Sequence, residues 1–168
     1  ASGPNSANPH AAPTDRAIQT GDLLLFDWGA RYEGYCSDIT RTFFIGEIKP
    51  ELQAIYQAVA AANSAGRAIG KPGLRAGDVD HAARAEIVNA GYGQFFTHRT
   101  GHGLGMEDHE SPYMFAENDQ LLEEGMVYTV EPGIYLPNQG GVRIEDDMVV
   151  TADGCMALTD FPHDLTVL

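Results

Sequence analysis

Cysteine is nearly absent from the chain. Cys36 and Cys155 are the only two, so no disulfide framework can be built, and sparse, unpatterned cysteine fits a reducing compartment. Long apolar runs are lacking as well. None approaches the ~20 residues of a membrane-spanning helix, and no basic segment leads into an apolar one as in a secretory signal. These two absences set the expectation of a cytoplasmic protein. Basic residues are scarce, with 10 Lys+Arg against 24 Asp+Glu and a formal charge of −14. That balance argues against non-specific nucleic-acid binding and against docking on an anionic membrane. It leaves divalent cations open, because clustered carboxylates attract them. The chain also lacks an initiating Met and opens on the turn-rich ASGPNSANPHAAP, which reads as the interior of a larger protein.

What is present is enough for one folded unit. At 168 residues and 43% hydrophobic, the chain has the size of a single domain and buries roughly two-thirds of its unfolded surface. Residues 1–22 read as a loop closed by Gly21-Asp22. From Leu23 to Ile45 β-formers dominate, and a turn near Tyr32, Glu33 and Gly34 makes them a hairpin. Pro50 suits the first turn of a helix, and the Ala-rich stretch after it has apolar residues at helical spacing. After the break KPGLRAG, a second helix is expected to start at Asp78 as N-cap and to stop at Gly91. Short strands follow, separated by the turns NQGG and ADG. A hairpin, two helices and then strands, without repeats or alternating β-α-β units, predict an α+β fold.

The first hairpin carries a costly arrangement. With its turn centred between Tyr32 and Glu33, Asp27 and Asp38 face each other across the antiparallel pair. Facing Cβ atoms lie about 4.5–5.5 Å apart, where like charges destabilise, and Asp is a poor strand former. The second strand pair repeats the pattern, since Glu131 and Glu145 are symmetric about Asn138. Four carboxylates from two hairpins suit a pair of divalent ions, and a histidine among them tilts the choice toward Mn, Co, Zn or Fe rather than Ca.

His102, between Gly101 and Gly103, has small neighbours that allow a metal or substrate to approach the backbone. His98 and His109 flank it by four and seven residues. His81 and His163 read as surface residues. The glycines of GHGLG match neither a dinucleotide fingerprint nor a P-loop, and His109-Glu110 is not followed by the second His of the helical zinc-protease motif.

The segments DWGARYEGYCSDITRT, HRTGHGLGMEDHESP, YTVEPGIY and GVRIEDDMVVT resemble the pita-bread metallopeptidases, and within them Xaa-Pro dipeptidase (prolidase) and aminopeptidase P. The resemblance runs from about Gly3 to Thr151. It implies the C-terminal part of a pita-bread fold, a curved antiparallel sheet with helices on its outer face. Residues 1–168 would then be a metallopeptidase catalytic domain truncated at its N-terminus, whose missing segment accompanies the chain and whose whole protein is a homodimer. Isolated, such a fragment is expected to expose a sheet edge and an apolar face.

By the same resemblance, Asp27 matches the carboxylate chelating one metal, Asp38 and Glu145 the two bridging carboxylates, and His102 and Glu131 the terminal ligands of the other metal. His98 and His109 match histidines that orient substrate and stabilise charge on the scissile carbonyl. His10 matches an active-site His on the entry loop, and Arg143 an Arg near the bridging Glu. The implied chemistry is hydrolysis of the bond before proline by a hydroxide held between two divalent ions, Mn first among Mn, Co, Zn and Fe. Glu131 would shuttle the proton, and His109 and His98 would face the oxyanion. Arg143, His109 and His10 are the candidates to receive a dipeptide's carboxylate. The rivals are an aminopeptidase acting on longer peptides, a metal-free hydrolase related to creatinase, and a binding module that has lost its metals. Retention of all five ligands favours the enzyme.

Overall fold

The computed structural model describes all 168 residues. β1 (Leu23–Tyr32) and β2 (Tyr35–Phe44) form the first hairpin. Its turn residues Glu33 and Gly34 have φ of 49° and 92°, the left-handed pair that a two-residue type I′ turn requires. The hairpin is therefore centred one residue later than the sequence suggested. Asp27 lies opposite Thr40, and Asp38 opposite Gly29. The two carboxylates are diagonal neighbours on one face, not a facing pair, and the change of register brings Thr40 beside the carboxylates.

α1 (Pro50–Ile69) and α2 (Ala76–Asn89) follow. α1 buries Leu52, Ile55, Tyr56, Val59 and Ala62 in a core shared with Leu23, Phe44, Ile134, Val142 and Ile144. Their spacing is that of one helical stripe, and each large aliphatic side chain so buried contributes about 1.5–3 kcal/mol. α2 begins two residues before Asp78. Asp78 pairs with Arg75 at 2.6 Å in the first turn rather than capping it, while Gly91, at φ 86°, follows the last turn as expected. Val79 and Ala76 enter a second core with Met114, Tyr128, Val130, Met148 and Val150.

The remaining strands are β3 (Gly101–Gly103), β4 (Glu110–Met114), β5 (Val127–Val130), β6 (Gly133–Leu136), β7 (Gly140–Arg143), β8 (Asp146–Val150) and β9 (Cys155–Ala157). Every ladder is antiparallel, but the strands fall into three sheets: β1-β2, β4-β3-β5-β8-β9 and β6-β7. Two of these are one interrupted ladder. Val130 pairs with Asp146 and Gly133 with Arg143, which is a single register symmetric about Asn138. The ladder lapses at Glu131 and Glu145. There the Glu131 N–H donates to the Thr100 carbonyl at 2.7 Å, and the Glu145 N–H to the Thr40 carbonyl at 3.1 Å. The interruption thus joins the three sheets and places the two glutamates across from each other.

Asn63, buried in α1, donates from one amide nitrogen to the Val130 carbonyl at 3.0 Å and to Asp146 at 2.9 Å, pinning the helix to the ends of β5 and β8. His81 is exposed on α2. His163 is not a simple surface residue, because its Nε2 lies 2.8 Å from Asp146 Oδ2. Phe26 and Trp28 are 47% and 43% exposed, on the face of β1 opposite Asp27 by strand alternation. No helix is long and apolar enough to cross a membrane.

Candidate metal centre

One cavity of about 830 Å³ is lined by Asp27, Asp38, His102, Glu131, Glu145, His98, His109, His10 and Arg143. All nine residues singled out in the sequence therefore share one space. Asp27 and Asp38 project from the hairpin, Glu131 and Glu145 from the lapse in the second ladder, and His102 from the middle of β3. Three groups of side chains can bring donor atoms within 4.8 Å of one another: Asp27, Asp38 and Glu145; His102, Glu131 and Glu145; and Asp38, His102 and His109. Glu145 belongs to the first two, and no other residue does.

His102 is buried, with Nδ1 3.1 Å from the Gly103 carbonyl and Nε2 3.5 Å from Glu131 and 3.8 Å from Asp38. Nδ1 donates to the carbonyl, which leaves the Nε2 lone pair aimed at the carboxylates. Burial holds the ring neutral, with its pKa pushed down to about 4. The glycines beside it serve the backbone. A Cβ at Gly101 would lie 1.9 Å from the Thr129 carbonyl oxygen, and one at Gly103 2.5 Å from that of Ser111. It is therefore neighbouring strands, rather than a ligand, that need the space on either side of His102.

The carboxylates are poorly satisfied. Burial, reinforced by neighbouring carboxylates, pushes Asp38 up to about 7 and Glu131 up to about 8. Glu145, 1% exposed, is driven well above the usual range for the same reasons. Thr40 donates to its Oε2 at 2.6 Å, but its buried Oε1 has no hydrogen-bond partner. A buried, partnerless carboxylate oxygen among like charges is what a divalent ion would satisfy, and the mixed oxygen and imidazole donors suit a first-row transition ion. The residues present fit such ions.

Two candidate residues are occupied differently from expectation. Arg143 is buried, and its guanidinium donates to Asp27 Oδ2 at 2.5 Å, the Tyr135 hydroxyl at 2.9 Å, Thr40 Oγ1 at 3.2 Å and the Pro9 carbonyl at 3.3 Å. Those four donors are engaged within the fold, so Arg143 braces Asp27 from the cavity wall. His98 also has both ring nitrogens engaged. Nδ1 donates to the Arg99 carbonyl at 2.7 Å, and Nε2 accepts from the Tyr135 hydroxyl at 2.8 Å. It keeps no N–H for an oxyanion.

The opposite wall is more open. His109 is exposed and stacks on His102 at 3.8 Å between centroids, while His10 reaches the cavity from the N-terminal loop. Arg99 was not singled out in the sequence. Its guanidinium lies 4.6 Å over the Tyr113 ring and 3.3 Å from His109 Nδ1, contacts that leave it without a carboxylate partner. Thr40, Tyr135 and Phe115 were missed too. Only Thr40 had a legible signal, had the Glu33-Gly34 turn been used to set the register.

Residues 1–152 match the family model for metallopeptidase family M24. The chain is 54% identical over 166 residues to the Bacillus subtilis protein YkvY, covering 99% of this chain and 46% of that one. Among solved structures it is similar to an Xaa-Pro dipeptidase from Bacillus anthracis, with 48% identity, a TM-score of 0.98, and coverage of 100% of this chain and 47% of that one. It is also similar to an X-Pro aminopeptidase from Thermotoga maritima, at 43% identity, a TM-score of 0.96, and coverage of 100% and 48%. The chain spans about half the length of these relatives.

Proposed function

The chain belongs to metallopeptidase family M24 and has its pita-bread fold, and from that premise we propose that it carries the dinuclear catalytic centre of an Xaa-Pro dipeptidase. The observation that carries the reading is the sharing of Glu145 between two donor groups, one with Asp27 and Asp38, the other with His102 and Glu131. Residues 1–168 form the catalytic part, acting in a cytoplasmic homodimer as the resemblance implies. Asp27 would hold one ion, His102 and Glu131 the other, and Asp38 and Glu145 would be shared between them. Manganese is the first choice, with Co, Zn and Fe accepted by the same donors.

Such ions, when bound, would supply Lewis acidity that activates a water and polarises a carbonyl oxygen. The protein's own side chains do the rest. Glu131 takes the proton of the attacking water and delivers it to the proline nitrogen as the C–N bond breaks. A divalent charge beside Glu131 would favour its ionised form, the form that acts as a base. His109, whose Nδ1 faces Arg99, has Nε2–H to donate to the carbonyl oxygen as charge builds there. Phe115 gives the cavity an apolar wall, suited to the proline ring or the Xaa side chain. Arg99, the unspent cation of the open wall, takes the dipeptide's carboxylate, with His10 beside it.

Hydrolysis of an Xaa-Pro dipeptide and an Xaa-Pro-Yaa tripeptide by the whole natural polypeptide, with and without Mn(II), tests the reading. Metal-dependent cleavage of the dipeptide alone is expected. Cleavage of the tripeptide would move the assignment to aminopeptidase, the alternative favoured by similarity to the Thermotoga enzyme. No cleavage of either by metal-loaded protein would point to a binding module.

A further inference from the structure

The acidic run Glu145-Asp146-Asp147 contributes one residue to the centre and sends two elsewhere. Asp147 Oδ2 accepts the Asp38 N–H at 3.1 Å. Asp146 is fully buried and faces Arg41, a residue with no place in the chemistry above. Arg41 is itself 2% exposed, and its guanidinium connects three segments. It donates to the Glu145 carbonyl at 2.6 Å and the Thr40 carbonyl at 2.9 Å. It donates to Asp146 Oδ1 at 2.7 Å. It also donates to the carbonyls of Phe161 and Pro162 in the C-terminal tail, at 2.7 and 2.9 Å. His163 closes the set, with Nε2 on Asp146 Oδ2 and its carbonyl accepting the Tyr56 hydroxyl at 3.1 Å.

Glu145 is consequently held at three points by two consecutive residues. Its N–H donates to the Thr40 carbonyl, its carbonyl accepts from Arg41, and its Oε2 accepts from the Thr40 hydroxyl. Glu131 has no such clamp. Its N–H meets the Thr100 carbonyl, and its carboxylate lies 3.9 Å from Arg143. A carboxylate shared between two donor groups has to meet both at once, so its tolerance for main-chain rotation is smaller than that of a residue serving one.

We propose that Arg41 is a positioning residue for the metal centre: it fixes the Glu145 main chain so that the carboxylate serves both ions, and the tail at Phe161–His163 locks Arg41 in turn. The proposal rests on the reading of Glu145 as the shared ligand. A planar fork is needed to hold carbonyls of two segments and a carboxylate together, which predicts only partial replacement by Lys.

The test is calorimetric titration of the chelator-stripped whole polypeptide with Mn(II), alongside thermal melts of the same metal-free samples. Arg41→Gln should weaken Mn(II) binding by roughly 10–100-fold, the usual effect of removing a residue that orients a ligand. Arg41→Lys should recover part of this, and His163→Gln should show a smaller loss. Arg16→Gln, which breaks the Arg16–Asp22 pair at 2.7 Å, should lower the melting temperature with Mn(II) affinity unchanged. Parent-like affinity in a folded Arg41→Gln protein would overturn the clamp while leaving the centre intact. Should that variant fail to fold, parent-like affinity in both Arg41→Lys and His163→Gln would overturn it equally. A parent protein that binds no Mn(II) would overturn the reading of the centre, and the clamp with it.

Discussion

The two walls of the cavity are built on opposite principles. The inner wall holds Glu145, Arg143, Thr40 and His98, and its polar atoms are spent almost entirely on one another. The outer wall holds His10, Arg99 and His109, and its donors are largely unspent. The inner wall leaves one conspicuous exception, the partnerless Oε1 of Glu145. Groups satisfied by the fold can only position. A group left unsatisfied at depth, or left open at the surface, is available to a ligand. On the proposed reading, the difference separates a surface suited to ions from one suited to substrate, and it makes Arg99 the candidate carboxylate receptor beside Arg143.

The sharpest way to break this comparison is Glu145→Gln. Burial among like charges makes Glu145 a liability when no ion is bound, so the neutral amide should stabilise the metal-free protein by on the order of 1–3 kcal/mol. The parent should gain about 4 kcal/mol at Mn(II) concentrations 1,000-fold above its dissociation constant, and the variant should lose most of that gain. Melting temperatures of both proteins with chelator and with Mn(II) decide it. A variant less stable than the parent under chelation would mean that the inner wall tolerates its charge without an ion.

Arg99→Ala tests the outer wall. A charge-assisted hydrogen bond contributes about 1.5–3 kcal/mol, so KM for an Xaa-Pro dipeptide should rise roughly 10–100-fold. Melting temperature and Mn(II) affinity should stay near those of the parent, because the side chain makes no buried bond. An unchanged KM would return the carboxylate to His10 or His109.

The smallest effect concerns the loop that carries His10. Arg16 beside Asp22 holds that carboxyl below its ordinary value, and the Gln19 N–H bond adds to this. A carboxylate depressed in the folded state stabilises fully above the ordinary Asp value near 4. That contribution is lost as pH falls through the depressed folded value. Asp22→Asn should therefore lower the melting temperature slightly at pH 5–7, and the difference from the parent should shrink toward pH 2. Melts across that range would show it. A constant difference would mean that Asp22 acts through packing alone.

Much of this molecule follows from local pattern. The α+β order, both helices, the NQGG and ADG turns and the four carboxylates could be read because each rests on contacts within a few residues of chain. The Glu131–Glu145 symmetry about Asn138 was also legible, since one unbroken register runs through both ladders. The first hairpin was misplaced by one residue because Glu33 at positive φ is not a strong turn signal, and with it the partnership of Thr40 and Glu145 was hidden. The second helix starts before Asp78 because Asp78 serves Arg75 instead of the helix N–H groups.

The sequence by itself determined which side chains are available: the carboxylates and histidines, their order and the two strand pairs that bring them near one another. The tertiary structure decided which of them remain free to act. Whether an arginine's donors are spent or open depends on partners as much as 121 residues away, as with Arg41 and Pro162. Neither composition nor spacing records that separation, because hydrogen-bond satisfaction in a buried site is a property of all the surrounding segments at once.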